Sequence, residues 1–259
     1  SDIPLVVLSA DRPKHLVDVG DGQTINQKNI FKNHILYSAD LKQDIDKDQD
    51  LLKDDELQIF KNIENKLEKL LELQQNIQDK NEADINKALN LAIHKSGPVH
   101  INIPFDEPLY ETVDQLSVKS KVIEYDLKPK QIDGFLINEL AENWSSATKK
   151  MVIVGVNTPN AIEQKWLNIL AKDDSVVVFT ETTSNLFDAE FFPSIDQIIA
   201  PLSIKEFEAL QPDILLTIGG LIVSKKIKAF LRNHRPKHHW HIDEHKANDT
   251  FFCLEHFIK

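Results

Sequence analysis

Short apolar runs that alternate with helical patterns are the feature of this sequence that most restricts its fold. In the second half of the chain, four such runs are typical of buried strands, and amphipathic patterns separate them. The strands are predicted at residues 151–156, 176–179, 214–218 and 239–243, and the helices at 161–170, 203–210 and 224–233. Strands that alternate with helices form right-handed βαβ units. The pattern therefore predicts an α/β fold whose C-terminal half is a parallel, doubly wound sheet.

The first half of the chain contains a second, less regular α/β pattern. Residues 4–9 form an apolar run typical of a buried strand, and residues 10–35 indicate an ordered loop with one short helix. Residues 99–103 alternate between apolar and polar side chains, which predicts a strand closed by Pro104. Because a Ser-Gly-Pro sequence at 96–98 stops a helix just before that strand, a helix–strand step is expected here.

A segment rich in charged residues and leucine lies between the two predicted strands of this half. Its apolar side chains recur at helical spacing, at Phe60, Ile63, Leu67, Leu70 and Ile77. This spacing predicts an amphipathic helix of about six turns. The helix could form a coiled coil with a partner, but about three heptads is the minimum for one, so packing on its own domain is favoured. Asn81 is expected to cap a second helix that follows.

A polar, irregular stretch marks the expected domain boundary. Residues 111–133 show no periodicity and include Lys-Pro-Lys at 128–130, a composition typical of interdomain linkers. The predicted division is a first domain at 1–115, a linker at 116–133 and a second domain at 134–259.

The charge and composition of the chain argue against several classes of function. The net charge of −11 is unfavourable for a nucleic-acid or anionic-membrane surface. The single cysteine, Cys253, excludes an intramolecular disulfide and a multi-cysteine zinc site. No apolar run reaches the roughly 18 residues that span a bilayer, and no signal peptide is recognisable, so a cytoplasmic protein is expected. Because an apolar run starts almost at the first residue, without an initiator Met, we expect the chain to be part of a longer protein.

The tripeptide Gly20-Asp21-Gly22 matches the opening of the magnesium–diphosphate site in thiamine enzymes. That site needs a preceding apolar strand and an Asn about thirty residues further on, because the Asp of the tripeptide and this Asn supply hard oxygen ligands to the metal. The residues before the tripeptide are not a long apolar strand, and residues 46–52 contain no Asn. Since Gly and Asp are common turn formers, the tripeptide is interpreted as a turn, and no metal site is expected.

Three further groups of residues are weaker candidates for a site. His239 and His241 are expected on one face of a strand near Asp243, a spacing that only weakly suggests a metal site. Residues 182–185 follow a strand at the ligand edge of the predicted sheet and are interpreted as a polar turn. Cys253 lies in an apolar run, where a buried, unreactive thiol is expected.

Three motifs, in this order, resemble a known enzyme family. They are Ala-Asp-Arg-Pro at 10–13, the segment 20–27 with Phe31, and Gly-Pro-Val-His-Ile-Asn-Ile-Pro-Phe-Asp-Glu-Pro-Leu-Tyr at 97–110. Together they resemble the MenD family, the thiamine-diphosphate-dependent 2-succinyl-5-enolpyruvyl-6-hydroxy-3-cyclohexene-1-carboxylate synthases of menaquinone biosynthesis. The second domain resembles the Rossmann-like middle domain of that family, and the first resembles the C-terminal part of its pyrimidine-binding domain. The charged segment at about 44–80 looks like an insertion.

The resemblance implies an activity and a set of binding residues. Members of the family decarboxylate 2-oxoglutarate on thiamine diphosphate and add the product to isochorismate, and both substrates carry several carboxylates. Matched residue by residue, the family pattern implies substrate binding by Arg12, Gln23, Lys225 and Lys226. Arg forks and Lys point charges are the usual partners of carboxylates. The lysines also follow Ser224 at a predicted helix N-terminus, where unpaired N–H groups and the helix dipole favour anions.

The resemblance also implies what the intact enzyme needs beyond this chain. The family's cofactor-activating glutamate and its metal site are not recognisable here, so thiamine diphosphate and Mg²⁺ are expected only in the intact enzyme. The chain alone is expected to hold no catalytic residue and to be inactive, and the intact enzyme to be a homodimer or tetramer. Two alternatives stay open: an acetolactate-synthase-like thiamine enzyme with FAD in its middle domain, and a non-catalytic module that binds a carboxylate regulator at Lys225 and Lys226.

Overall fold

A computed structural model of the chain forms two compact units. Unit 1 is Ser1–Leu127, and unit 2 is Lys128–Lys259. Within the helical residues 59–70, the backbone alone is described. The described residues are 2–20, 22–44, 59–106, 110, 112, 114–116, 118–125 and 131–259. The first part of the proposed insertion, residues 45–58, therefore lies outside the described residues.

A three-stranded parallel sheet forms the centre of unit 1. Its strands are β1 (Val6–Asp11), β2 (Tyr37–Asp40) and β3 (Val99–Pro104), and β3 lies in the middle. One face of the sheet packs against the helix α1 (Ile59–Lys95). The core between them contains small and branched apolar residues: Ala39, Leu41, Ala88, Ala92, Val99 and Ile101.

Unit 1 contains one strand that was not predicted, and one prediction for it is wrong. Strand β2 was not predicted, because its alternation of apolar and polar residues, Tyr-Ser-Ala-Asp, is only four residues long. The predicted break at Asn81 does not occur, since α1 is one helix of 37 residues. The Asn81 amide instead accepts a hydrogen bond from the backbone N–H of Lys42 (2.9 Å) and donates to its carbonyl (2.8 Å). Asn81 therefore ties the segment after β2 to the helix.

The end of α1 follows the prediction. Ser96 adopts the left-handed conformation with φ of 46°, and the Gly97 N–H donates to the carbonyl of Ala92 (3.2 Å). This geometry closes the last turn of the helix. A Cβ atom on Gly97 would lie 2.7 Å from Cδ1 of Leu36, so the glycine also permits close packing before β3 begins.

Two asparagines on α1 hold the segment that follows β3. Asn86 Nδ2 donates to the carbonyl of Lys121 (2.7 Å), and its Oδ1 accepts from the N–H of Ile123 (2.8 Å). Asn90 makes the same pair of bonds one turn later, to the carbonyl of Ile123 (2.6 Å) and the N–H of Tyr125 (3.2 Å). Part of the predicted linker is thus fixed on unit 1 through its backbone.

A five-stranded parallel sheet, in the order β5-β4-β6-β7-β8, forms the centre of unit 2. The strands are β4 (Lys150–Val154), β5 (Val176–Thr180), β6 (Ile214–Ile218), β7 (His238–Ile242) and β8 (His256–Ile258). The helices are α2 (Gly134–Ser146), α3 (Gln164–Ala171), α4 (Ile195–Ile199), α5 (Ile204–Leu210) and α6 (Lys225–Asn233).

Apolar cores lie on both faces of this sheet. Met151 and Ile153 pack with residues of α4 and α6 on one face, whereas Val152 and Val154 pack with Leu167 of α3 on the other. The predicted doubly wound, parallel sheet is therefore confirmed. Strand β8 and helices α2 and α4 were not predicted. Within the described part of the chain, no helix combines the length and the apolar character that a membrane span requires.

Candidate functional site

The carboxyl ends of the strands in unit 1 are joined by a hydrogen-bonded polar network. His100 and Asn102 are polar residues of β3, yet both are buried. Asn102 Nδ2 donates to Asp11 Oδ2 at the end of β1 (2.7 Å) and to Asp40 Oδ1 at the end of β2 (3.1 Å). His100 Nε2 lies 2.6 Å from the hydroxyl of Ser9. The network links all three strands near the edge where parallel sheets usually bind ligands.

Arg12 is the first residue after β1 and lies at this edge of the sheet. Its side chain is half-buried, its backbone N–H donates to Asp11 Oδ1 (2.9 Å), and the next residue, Pro13, is buried. Gln27 Nε2 donates to the carbonyl of Ala10 (2.8 Å) and so brings the end of the following loop back to β1. The structure therefore holds the backbone of Arg12 in place at the carboxyl end of a strand.

Gln23 lies in the loop that Gln27 anchors. Its side chain is exposed, and its backbone is left-handed, with φ of 63°. Gly20 is also left-handed (φ of 80°) and lies in a turn, in agreement with the interpretation of the Gly-Asp-Gly tripeptide, although Asp21 lies outside the described residues. Across the described ranges, no three His, Cys, Asp or Glu side chains form a group that could hold a metal ion.

Lys225 and Lys226 are the first residues of α6, at the carboxyl edge of the sheet in unit 2. A short loop connects the end of β6 to Ser224, which caps the helix by accepting a hydrogen bond from the N–H of Ile227 (3.1 Å). Both lysines are exposed. The structure therefore places them on the edge of the sheet that the sequence predicted.

One argument that the sequence offered for these lysines, the presence of unpaired N–H groups, does not apply to the residues just before α6. The backbone N–H groups just before α6 are not unpaired, because the carboxylate of Glu181 accepts both. Glu181 Oε2 accepts from the N–H of Val223 (2.8 Å), and Oε1 accepts from the N–H of Ser224 (2.6 Å). The chain thus supplies its own anion at this helix terminus. A ligand carboxylate would meet the lysine ammonium groups rather than these two amides.

Sequence reasoning missed Glu181, although one signal pointed to it. The residue directly follows β5, so its side chain belongs to the same carboxyl edge of the sheet as the lysines. It lines a groove of about 330 Å³. The predicted polar turn after it is a short 3₁₀ helix, Thr182–Ser184, and both of its threonines line the same groove.

Backbone contacts fill the crevice between β4 and β6, where the strand order of the sheet reverses. Doubly wound folds usually bind nucleotides at this position. Here the Gly155 N–H donates to the carbonyl of Ile218 (2.9 Å), and the Gly220 N–H donates to that of Val156 (2.8 Å). An adjoining cavity of about 30 Å³, lined in part by His241, could hold a water molecule but is far too small for a flavin.

Two of the three histidines of β7, His239 and His241, share a hydrogen-bond partner. Thr217 Oγ1 lies 3.0 Å from His239 Nε2 and 2.8 Å from His241 Nδ1. Burial lowers the pKa of both histidines, that of His239 to about 4, so both rings are neutral near pH 7. Cys253 is half-buried rather than buried, and burial raises its pKa, which favours the less reactive thiol form.

These buried histidines should make unit 2 sensitive to acid. The unfolded chain binds a proton at His239 near its usual pKa of 6.5, whereas the folded chain does so only near 4. The unfolded state therefore binds more protons in this window, and the free energy of unfolding should fall by up to about 3 kcal/mol as the pH drops from 6.5 to 4. Urea titrations followed by tryptophan fluorescence measure this, because all three tryptophans lie in unit 2.

A variant pair isolates the contribution of His239. His239→Gln should flatten the dependence of stability on pH in this window, whereas His15→Gln, a change at an exposed histidine of unit 1, should leave it unchanged. A free energy of unfolding that stays constant between pH 6.5 and 4.5 in the unmodified chain would contradict the burial of a neutral imidazole.

Comparisons with known proteins identify the lineage of the chain. Residues 127–249 match a family model described as "Middle domain of thiamine pyrophosphate". Nearly the whole chain also aligns with curated 2-succinyl-5-enolpyruvyl-6-hydroxy-3-cyclohexene-1-carboxylate synthases. The identity is 51% for the protein of Christiangramia forsetii, 45% for that of Flavobacterium psychrophilum and 44% for that of Flavobacterium johnsoniae. The chain belongs to this synthase family. The resemblance seen in the three motifs is thereby confirmed.

The alignments also show how much of this synthase family the chain represents. They cover 98%, 99% and 100% of this chain, but only 42%, 41% and 41% of the three relatives. The chain therefore spans about two fifths of the length of the synthases it matches.

Proposed function

We propose that the chain is part of a synthase that decarboxylates 2-oxoglutarate and adds the resulting succinyl carbanion to isochorismate. The observation that carries this proposal is the identity of 44–51%, along nearly the whole chain, with proteins named for that product. The structure adds support, because side chains suited to carboxylate binding lie at the carboxyl edge of each parallel sheet.

We assign four side chains to the binding of substrate carboxylates. Arg12 would offer the paired N–H groups of its guanidinium, and Gln23 a neutral amide donor. Lys225 and Lys226 would add two point charges. Because Arg12 is half-buried, its attraction to a carboxylate is screened less than that of a fully exposed pair. These roles bind and orient the substrates, and they leave the chemical step to the cofactor.

Thiamine diphosphate would supply the stabilised carbanion that this reaction needs. We propose that polypeptide outside this chain holds the cofactor and its Mg²⁺ in a homodimeric or tetrameric enzyme. Two features of the described residues support this: Gly20 lies in a turn, and these residues include no group of three His, Cys, Asp or Glu side chains that could hold a metal ion. A flavin in unit 2 is also not favoured, because backbone contacts fill the crevice between β4 and β6.

An assay of the full-length polypeptide that contains this sequence tests the proposal. With thiamine diphosphate and Mg²⁺, it should release CO₂ from 2-oxoglutarate at a rate that depends on isochorismate, and mass spectrometry should detect the joined product. The 259-residue chain under the same conditions should be inactive. A folded full-length protein that shows no isochorismate-dependent decarboxylation would contradict the proposal, and co-purified FAD would favour an acetolactate-synthase-like enzyme.

A further inference from the structure

We infer that Glu181 is a positioning residue: it fixes the start of α6 and so places Lys225 and Lys226 for the substrate carboxylate. This inference deepens the proposed function and rests on it. Glu181 follows β5, whereas the lysines follow β6, and β4 lies between these two strands in the sheet. A contact between distant parts of the chain therefore sets the position of the two cations.

The carboxylate of Glu181 binds two consecutive backbone N–H groups. Val223 N lies 2.8 Å from Oε2 and 3.0 Å from Oε1, and Ser224 N lies 2.6 Å from Oε1. Hydrogen bonds to an ionised acceptor are shorter and stronger than those between neutral groups. Together they fix the peptide groups immediately before Lys225.

Glu181 is itself held against the sheet. Its backbone N–H donates to the hydroxyl of Ser184 (2.8 Å), and its carbonyl accepts from the Ser184 N–H (2.9 Å). The Ser184 side chain is buried, and its hydroxyl donates to the carbonyl of Val154 at the end of β4 (2.5 Å). The loop that carries the carboxylate is thus anchored to β4, one of the inner strands of the sheet.

A second carboxylate restrains the same helix end. The hydroxyl of Ser224 donates to Asp196 of α4 and accepts from the N–H of Ile227 (3.1 Å). The inner face of α6 is fixed separately, by the buried side chains of Ile227, Phe230 and Leu231. Loss of Glu181 should therefore leave the helix in place but free its first turn to fray, because two N–H groups lose their partner. The exposed lysines would fray with that turn.

Whether replacement of Glu181 raises or lowers KM shows whether its carboxylate positions the lysines or only repels an anionic substrate. By charge alone, removal of a carboxylate beside the two lysines would strengthen the binding of an anionic substrate and lower KM. A positioning role predicts a higher KM, because lysines on a frayed helix turn must be ordered again when the substrate binds. In the full-length enzyme, Glu181→Ala should raise the KM for the substrate bound by the lysines about tenfold, with kcat changed less than about twofold.

Two variants and one spectroscopic measurement complete the test. Glu181→Gln removes the charge but keeps an acceptor oxygen, so its KM should return to within about threefold of the unmodified value. Glu208→Ala, a change at an exposed glutamate of α5, should leave KM unchanged. Hydrogen exchange on the 259-residue chain should show faster exchange at Val223 and Ser224 in Glu181→Ala, with the amides of β6 unaffected because the unit stays folded.

Lysine variants keep the inference distinct from the proposed function. If Lys225→Ala or Lys226→Ala raises KM and Glu181→Ala does not, the positioning role is wrong while the binding role of the lysines stands. A KM lowered by both Glu181 variants would also overturn it, in favour of charge repulsion. If neither lysine variant changes KM, the binding role assigned to the lysines is wrong, and the role of Glu181 is lost with it.

Discussion

Replacement of Arg12 with alanine in the full-length polypeptide should lower kcat/KM for the substrate that it binds about 100-fold. Hydrogen bonds between a guanidinium and a carboxylate contribute up to about 3 kcal/mol, and every 1.4 kcal/mol corresponds to roughly a factor of ten. The half-buried position of Arg12 and its fixed backbone place the effect near the upper end of that range. Steady-state kinetics with each substrate varied in turn measures the loss.

Two control variants show whether the loss of kcat/KM comes from the paired N–H groups of the guanidinium. Arg12→Lys keeps the charge but not the paired N–H groups, so it should lose about tenfold. Lys14→Ala removes a nearby cation whose side chain is 71% exposed and pairs with Asp40 at 3.3 Å, and it should change kcat/KM less than about twofold. Equal, small effects of Arg12→Ala and Lys14→Ala would contradict the role of Arg12, provided that circular dichroism shows both variants folded.

The length of a strand explains which strands the sequence revealed. β4 lies inside the sheet of unit 2, all five of its residues are buried, and four of them form a continuous apolar run. β1 and β5 lie at the edges of their sheets, but with six and five residues they were also predicted. The two missed strands, β2 and β8, are edge strands of only four and three residues. A pattern-based prediction therefore finds the longer strands of each sheet more readily than the shortest ones.

The candidate site in unit 2 was predictable in position but not in its contacts. A helix that follows a strand of a parallel sheet must begin at the carboxyl edge, which was enough to place Lys225 and Lys226 there. Which group accepts hydrogen bonds from the backbone N–H groups before that helix depends on strand order. The acceptor, Glu181, lies 42 positions from Val223 in the sequence. The contact between Asn81 and Lys42 was missed for the same reason, since the two residues are 39 positions apart and local patterns do not report such contacts. Local patterns therefore located the cations but not the carboxylate that orients them.

Replacement of Gly155 with alanine should destabilise unit 2 by about 4 kcal/mol, a loss at the upper end for single substitutions. The new Cβ would lie 2.3 Å from the carbonyl oxygen of Gly220 and 3.1 Å from that of Leu221, and both neighbours are backbone atoms. Relief of this clash must separate the loops after β4 and β6. That separation breaks the bonds from Val156 N to Leu221 O (3.1 Å) and from Gly220 N to Val156 O (2.8 Å).

A second glycine supplies the matched control for this prediction. Gly134 is the first residue of α2, and a Cβ there would meet nothing within 4 Å. Gly134→Ala should therefore be neutral or should stabilise unit 2 by up to about 1 kcal/mol, since alanine favours the helix and restricts the unfolded chain. Urea unfolding followed by tryptophan fluorescence compares the two variants directly. If Gly155→Ala lowered the free energy of unfolding by less than about 1 kcal/mol, the loops after β4 and β6 could separate easily. The crevice between β4 and β6 would then be open to a ligand, and the argument against a flavin in unit 2 would fail.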